Sequence, residues 1–279
     1  MLFGHVHFAP LAWGMNGVLK SLVVHGVEVW RPLSWGVRLG LRRIHRIISV
    51  SRYTQERLLR QSPHRPEECA ILPNTLPACI DDSARLSRQA LGLPEGLMVL
   101  SVSRLCAADR YKGIDRVIEA LPAVLQTHPD AFYVVVGSGD DRERLETLAQ
   151  QKNVQSKVFF TGVVEGNLLT AYYKVCDLFV LPSTEEGFGI VFLEAMRQGK
   201  ACVGARAGGV PEVLIDRKTG CLVDPDTPQS LIKALESLLS DASLRTQMGH
   251  EGKQRFEQEF SFEHFVRRLQ TLVAAPEGR

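Results

Sequence analysis

Glu186 and Glu194 bracket the stretch EGFGIVFLE, with seven residues between them. Were both helical, they would stand roughly 12 Å apart along the axis, farther than the ~5 Å carboxylate pair of a retaining glycosidase. The spacing predicts two separate contacts instead, one carboxylate on sugar hydroxyls and the other on ribose hydroxyls. Between them, the backbone N–H groups of Gly187, Phe188, Gly189, Ile190 and Val191 fall where a turn becomes a helix start. Unsatisfied donors at such a start favour a phosphate or sugar oxygen. Arg104 and Lys112 bracket a second loop, SRLCAADRYKG. Two cations there suit a diphosphate, Arg as a planar fork and Lys as a point charge. A third loop, GSGDD, offers Gly137 and Gly139 for a tight turn and close backbone approach to a ligand. It lacks the third glycine of the dinucleotide fingerprint, which argues against NAD. ARAGGVPEVL (205–214) carries another glycine pair, read as a simple turn. His25 closes SLVVH just before Gly26, placed to hydrogen-bond a substrate hydroxyl or stabilise developing charge. Taken singly, each has an ordinary alternative: a solvated charge, a plain turn, a structural histidine.

What must position these residues is a sheet. From about residue 97, short apolar runs alternate with amphipathic segments: LMVLSVSRL, a helix over 113–127, AFYVVVG, DDRERLETLAQQ, KVFFTG, LLTAYYKVC, DLFVLPS, GIVFLEAMRQG, ACVGA. The runs are β-branched and nearly unbroken, as in strands covered on both faces, so the pattern predicts a doubly wound parallel α/β domain. Helices are expected near 227–240, 242–258 and 262–274. Residues 1–76 repeat the grammar in shorter form, with SLVVHG and RIISVS as strands and helices near 33–44 and 51–61. About three strands are expected in this first domain. The stretch LPNTLPACIDD (72–82) holds two prolines and polar turn residues and marks the domain boundary. In such sheets ligands gather beyond the carboxyl ends of the strands, where all the loops above lie.

At 279 residues, 45% hydrophobic and 23% charged, the chain has the makings of one large or two modest globular domains. Its six cysteines are scattered without a CxxC pair, which suits buried thiols in a reducing, cytoplasmic setting. The apolar opening MLFGHVHFAPLAWGMNGVLK lacks a basic n-region and carries His5 and His7, so it reads as a buried strand and helix rather than a secretion signal. No apolar run reaches membrane-spanning length. The net charge of +2 hides an asymmetry: residues 1–80 hold ten Lys/Arg against four Asp/Glu, the rest 23 against 27. Arg38, Arg42, Arg43, Arg46, Arg52, Arg57 and Arg60 form either a solvated face or a surface for an anionic lipid or phosphorylated acceptor.

Taken together, these residues resemble the retaining glycosyltransferases of family 4. The motifs run in family order: HGVEVW (25–30), SVSRYT, LPNTLP, SVSRL…YKG, VVGSGD, FFTGVV, LPSTEEGFGIVFLEAM, GGVPEV, TGCLVDP and EFSFE. The resemblance implies a GT-B fold with doubly wound parallel sheets, a complete C-terminal Rossmann-like domain (77–279) and a partial N-terminal one (1–76). It implies a last helix, about 262–274, that crosses back to the first domain. By the same resemblance Arg104 and Lys112 would grip the donor diphosphate and Glu194 the ribose. Glu186 and the backbone of Gly187, Phe188 and Gly189 would hold the transferred sugar, His25 would stand near the reacting carbon, and Val163 and Val164 beside the base. The implied partners are a nucleotide-sugar donor and a glycan or lipid-linked acceptor, with no metal and no cofactor; no nucleic acid is expected, and the arginines of 38–60 point to peripheral membrane contact. The family's first domain normally begins with a strand and a glycine-rich loop well upstream of HGxExW. Here that motif starts at residue 25, so part of the acceptor pocket is expected to be missing. The competing readings are a nucleotide-sugar-binding remnant without turnover, a dehydrogenase (disfavoured by GSGDDR) and a sugar-phosphate enzyme such as an epimerase (disfavoured by EGFG-x3-LEA).

Overall fold

The computed structural model describes residues 1–78 and 86–274. Residues 79–82 of the expected boundary stretch, Cys79 among them, lie outside the described residues. Two parallel sheets organise the chain. The first runs in chain order through β1 (Leu2–Phe3), β2 (Ser21–Val24), β3 (Arg46–Ser49) and β4 (Cys69–Ile71), with α1 (Trp35–Leu41) and α2 (Arg52–Leu59) as connections. Along β2 buried and half-buried positions alternate. The opening differs from the expected strand and helix. β1 is two residues long, and Val6–Gly14 winds as a 3-10 helix around Pro10, which has no N–H for an α-helical ladder. β1 brings the first sheet to four strands rather than about three.

The second sheet follows the expected alternation. Its strands are β5 (Met98–Val102), β6 (Phe132–Val136), β7 (Val158–Gly162), β8 (Leu178–Leu181), β9 (Ala201–Ala205) and β10 (Gly220–Val223), in the spatial order β10-β9-β8-β5-β6-β7. Every residue of β6, β8 and β9 is buried. Around them lie α3 (Ile114–Thr127), α4 (Arg142–Gln151), α5 (Gly166–Val175), α6 (Ile190–Arg197), the single turn α7 (Val210–Val213), α8 (Pro228–Ser240) and α9 (Ala242–Arg255). α3 turns Ile114, Val117, Ile118, Leu121 and Val124 inward, at the spacing of one helix face. Phe179 sits between Tyr173 at 5.6 Å and Phe192 at 5.4 Å, all three fully buried. Each such ring removed from water contributes about 2–3 kcal/mol. Burial also pushes the thiol of Cys176 up to about 12, as befits an inert core cysteine. The chain ends with α10 (Phe262–Ala274), reached through a π-turn at Phe256–Phe260. No described helix is long and apolar enough to cross a membrane. Two parallel Rossmann-like sheets, the second the more complete and doubly wound, make this a GT-B-type fold.

The sheets meet at their loop ends. Gly26 lies against Gly187 so closely that a Cβ on Gly26 would stand 2.8 Å from the Gly187 Cα. The hydroxyls of Ser51 and Thr54 both donate to the Gly187 carbonyl, at 2.5 and 3.3 Å. Glu212 accepts from the backbone N–H groups of Arg52 and Tyr53, at 2.9 and 3.0 Å. These are donors that α2 cannot satisfy within itself, and the carboxylate sits at the positive end of its dipole. Trp30 meets Tyr111 edge to face at 5.5 Å, and Arg57 stands 3.6 Å from Glu185. Arg46 donates to the carbonyl of Leu272 in α10, and Thr75 to that of Phe260 at 2.7 Å.

Candidate active site

The strand order of the second sheet reverses between β5 and β8, since the chain goes from β5 to β6 and β7 on one side and returns to β8 on the other. That crevice is where α/β sheets hold ligands. The loop after β5 carries Arg104 and Lys112, and the loop after β8 carries the EGFG turn. Two backbone contacts fasten these loops together. The N–H of Thr184 donates to the Tyr111 carbonyl at 2.8 Å, and Gly113, at φ +76°, lies where a Cβ would come within 2.7 Å of the Pro182 carbonyl. Only glycine meets both demands.

Across the crevice the Lys112 ammonium and Glu186 carboxylate pair at 2.5 Å, with 17% and 14% of their side chains exposed. Arg104 behaves differently. Its guanidinium is 71% exposed and reaches Asp109 at 3.0 Å. The two cations thus flank the crevice with unequal freedom, one held and one reachable. Beneath them, Asp140 and Asp141 brace the loop. Asp140 accepts from the Ala107 N–H at 2.8 Å, while Asp141 takes Arg144 at 2.5 Å and Arg110 at 2.9 Å. The hydrogen bond from Arg144, then that from Arg110, holds the Asp141 carboxyl below the usual carboxylate range against the opposing effect of burial.

Gly189 starts α6 at φ +95°, and Ile190 beside it is exposed, so the first amides of the helix border the crevice. Phe188 contributes backbone only, because its ring is buried against Phe260 at 5.8 Å. Gly187 is pressed onto the first sheet: a Cβ there would stand 2.4 Å from the carbonyl oxygen of His25. His25 is thereby brought beside the EGFG turn. Its Nε2 lies 2.9 Å from the Gly4 carbonyl. A carbonyl only accepts, so Nε2 donates here, and in the neutral ring Nδ1 is the acceptor nitrogen. The His25 N–H donates to Glu28 at 2.5 Å, which fixes the backbone at the strand end.

Glu194 sits one turn into α6, away from Lys112. It accepts from the Tyr173 hydroxyl at 2.6 Å, and both residues line a cavity of about 220 Å³ between α5, α6 and the segment at Leu76 and Pro77. Burial raises the Glu194 pKa and the Tyr173 hydrogen bond opposes the rise. The two glutamates therefore have different partners and do not form a carboxylate pair. Gly137 and Gly139 approach the protein's own loop: a Cβ on Gly139 would meet the Leu105 carbonyl at 2.1 Å, and one on Gly137 would overlap that of Ser103. Val163 is exposed at the end of β7, and Val164 packs on the core. The glycine pair 208–209 is similarly packed, onto the backbone of Glu186 and Gly187.

Sequence reasoning missed Ser51, Thr54, Glu212 and Tyr173. The first three lie inside the quoted motifs SVSRYT and GGVPEV, which gave a signal but no chemistry. Tyr173 had none, since a tyrosine in LLTAYYKVC reads as core. Among the described residues no group of three or more His, Cys, Asp or Glu side chains is arranged to hold a metal ion.

Residues 84–255 match the family described as glycosyl transferases group 1. The chain is 33% identical over 248 residues to a GDP-mannose-dependent alpha-(1-6)-phosphatidylinositol monomannoside mannosyltransferase of Mycolicibacterium smegmatis, covering 82% of this chain and 63% of that one. It is 31% identical over 278 residues to a GDP-mannose-dependent monoacylated alpha-(1-6)-phosphatidylinositol monomannoside mannosyltransferase of Corynebacterium glutamicum, covering 93% and 70%. It thus spans less than two thirds of the length of the first of these relatives. Sucrose-phosphate synthase from Thermosynechococcus elongatus shares the fold, with a TM-score of 0.81 at 24% identity over 98% of this chain and 72% of that one.

Proposed function

Since this chain belongs to the glycosyl transferases group 1 family, we propose that it moves a sugar from a nucleoside-diphosphate donor to a hydroxyl of a glycan or lipid acceptor. Within that family we assign it to the retaining enzymes of family 4. The observation that carries the reading is the convergence at the β5–β8 crevice. One half-buried Lys–Glu pair, one reachable arginine and a helix start meet there beside a histidine from the other sheet. In this assignment Arg104, Lys112 and the amides around Gly189 take the diphosphate, Glu186 the transferred sugar, Glu194 the ribose, and Val163 and Val164 border the base. Residues 1–76 serve the acceptor side and 77–279 the donor side, with α10 returning to the first. The acceptor hydroxyl attacks the anomeric carbon on the face from which the diphosphate departs, and its proton passes to the leaving phosphate oxygen. His25 Nδ1 accepts from a sugar hydroxyl near that carbon. The names of the two relatives make GDP-mannose the first donor to try and a lipid-anchored mannoside the first acceptor.

The test is calorimetry with GDP, UDP and ADP followed by a transfer assay with the matching sugar donor. Each charge-assisted contact contributes about 1.5–3 kcal/mol, so Arg104→Ala with Lys112→Ala should weaken the best nucleotide about a hundredfold or more. Unchanged affinity in the double variant would remove the diphosphate assignment. Tight nucleotide binding with neither transfer nor donor hydrolysis would favour a binding remnant instead.

A further inference from the structure

Tyr173 is fully buried between α5 and α6, its ring packed on Phe179, yet its hydroxyl reaches the wall of the 220 Å³ cavity. A phenol has one proton to give. Two acceptors are within reach, Glu194 Oε2 at 2.6 Å and the Val191 carbonyl at 3.4 Å, and the shorter contact is to the charged one. Burial, with Glu194 next to it, raises the phenol's pKa well above its ordinary value, so it stays a donor across the working pH range. A glutamate has three side-chain torsions, the last of which sets its carboxylate plane, and the hydrogen bond from this phenol restrains that torsion.

We propose that Tyr173 is the positioning residue of donor recognition: it locks the Glu194 carboxylate in the orientation that receives both hydroxyls of the ribose. A carboxylate offers about four lone-pair directions. With one on Oε2 taken by Tyr173, a vicinal diol finds two acceptors at fixed angles along the cavity wall. The rest of that wall mixes the apolar Leu76, Pro77 and Leu169 with the polar Thr170, Arg197 and Gln198, and Glu194 is its carboxylate. The inference rests on the reading that Glu194 meets the ribose, and the experiment separates the two.

Calorimetry should compare whichever of UDP, GDP or ADP binds best with its 2′-deoxy analogue. The proteins are the parent chain, Tyr173→Phe and Glu194→Gln, with melting temperature as the check on folding. The parent is expected to prefer the ribonucleotide about tenfold or more, the worth of one hydrogen bond to a charged group. Glu194→Gln should lose most of that preference. Tyr173→Phe should lower it to about threefold or less while its affinity for the deoxy analogue stays at the parent level, which a general loosening of the core would not produce. As a second variant, 3-fluorotyrosine at position 173, a stronger donor of nearly the same size, should raise the preference. If Glu194→Gln keeps the full preference, the ribose reading fails and the inference with it. If Glu194→Gln loses the preference but Tyr173→Phe and the fluorinated residue both keep the parent ratio, the ribose reading stands and the positioning role is wrong.

Discussion

The two sheets use the same local grammar and bury it to different depths. Along β6, β8 and β9 every side chain is covered, whereas β2 alternates. Of fifteen large apolar side chains exposed among the described residues, nine fall in the first 35 positions, from Met1 to Trp35. The second sheet thus carries its own core and, at its switch point, a pre-formed crevice. The first leaves apolar surface uncovered within this chain and takes its bearings from the second, through Gly26, Ser51, Thr54 and the Glu212 cap on α2. The donor site proposed above needs a rigid frame, and burial is complete along these three strands of the second sheet.

The contrast has a direct energetic form. Leu178 on β8 and Leu22 on β2 are both wholly inaccessible. Truncating a buried leucine costs about 2–5 kcal/mol, more where the surroundings cannot collapse. Leu178→Ala should therefore cost about 4 kcal/mol and Leu22→Ala about 2–3, read from chemical denaturation. Equal losses would erase the distinction between the sheets.

A smaller effect should isolate the brace beneath the loop that carries Arg104 and Lys112. Asp141 has its pKa lowered by Arg144 first and then Arg110. A depressed carboxylate stabilises the fold above its unfolded pKa of 3.8, and that contribution is lost as the pH falls through the still lower folded value. Asp141→Asn should accordingly cost about 2 kcal/mol at neutral pH, discounted because both arginines are partly exposed. The gap between the two stability curves should close below pH 3.8. A gap that persists unchanged into acid would mean the pair contributes packing and not charge.

The sheets were legible in sequence because a covered parallel strand is a nearly unbroken apolar run; β6 and β8 are, and β5 is interrupted only by Ser101. The candidate site was legible because polar residues, Arg104 after β5 and Glu186 after β8, follow closely where those runs stop, with Lys112 and Glu194 further on in the same motifs. What stayed hidden depends on distant segments meeting. Ser51 and Gly187 are 136 residues apart, and no local period records that the first donates to the second. The packing of the glycines was hidden for the same reason. Gly139 gives close backbone approach to Leu105 of its own protein, and the pair 208–209 fits against the EGFG turn. The role of Tyr173 was masked by its ring, since the hydrophobic signal of a buried tyrosine hides where its hydroxyl ends.

The joint between the sheets can be broken at one atom. Gly26 has φ +140°, and an added Cβ would stand 2.8 Å from the Gly187 Cα. Gly26→Ala should cost about 1–2 kcal/mol in backbone strain. It should also push His25 away from the EGFG turn. Transfer to acceptor is expected to fall much more than nucleotide affinity, because Lys112, Arg104 and α6 all stay on the second sheet. Parallel loss of both would mean the donor site depends on the joint.

The smallest expected effect concerns the first sheet's outer surface, for which we propose peripheral contact with an anionic membrane through 38–60. The structure divides the seven arginines of that segment. Arg46 is engaged with the Leu272 carbonyl and Arg57 with Tyr53 and Glu185. Arg38, Arg42 and Arg43 are exposed near α1, where Trp35 is 78% exposed and Arg43 lies 4.1 Å over the ring of Trp13. Exposed indoles beside arginines are suited to a headgroup layer, the rings entering the interface and the cations meeting phosphate. Each arginine that reaches an anionic leaflet contributes about 1 kcal/mol, so Arg42→Gln alone should weaken binding about fivefold. Co-sedimentation with neutral and anionic vesicles at low and high salt reads this directly, and screening should abolish the difference between vesicle types at high salt. Arg46→Gln provides the contrast. It should leave vesicle binding unchanged while loosening α10, because its guanidinium faces the chain and not the solvent. If Arg46→Gln weakens attachment as much as Arg42→Gln, the attachment follows the net charge of the segment and not the patch around Trp13 and Trp35.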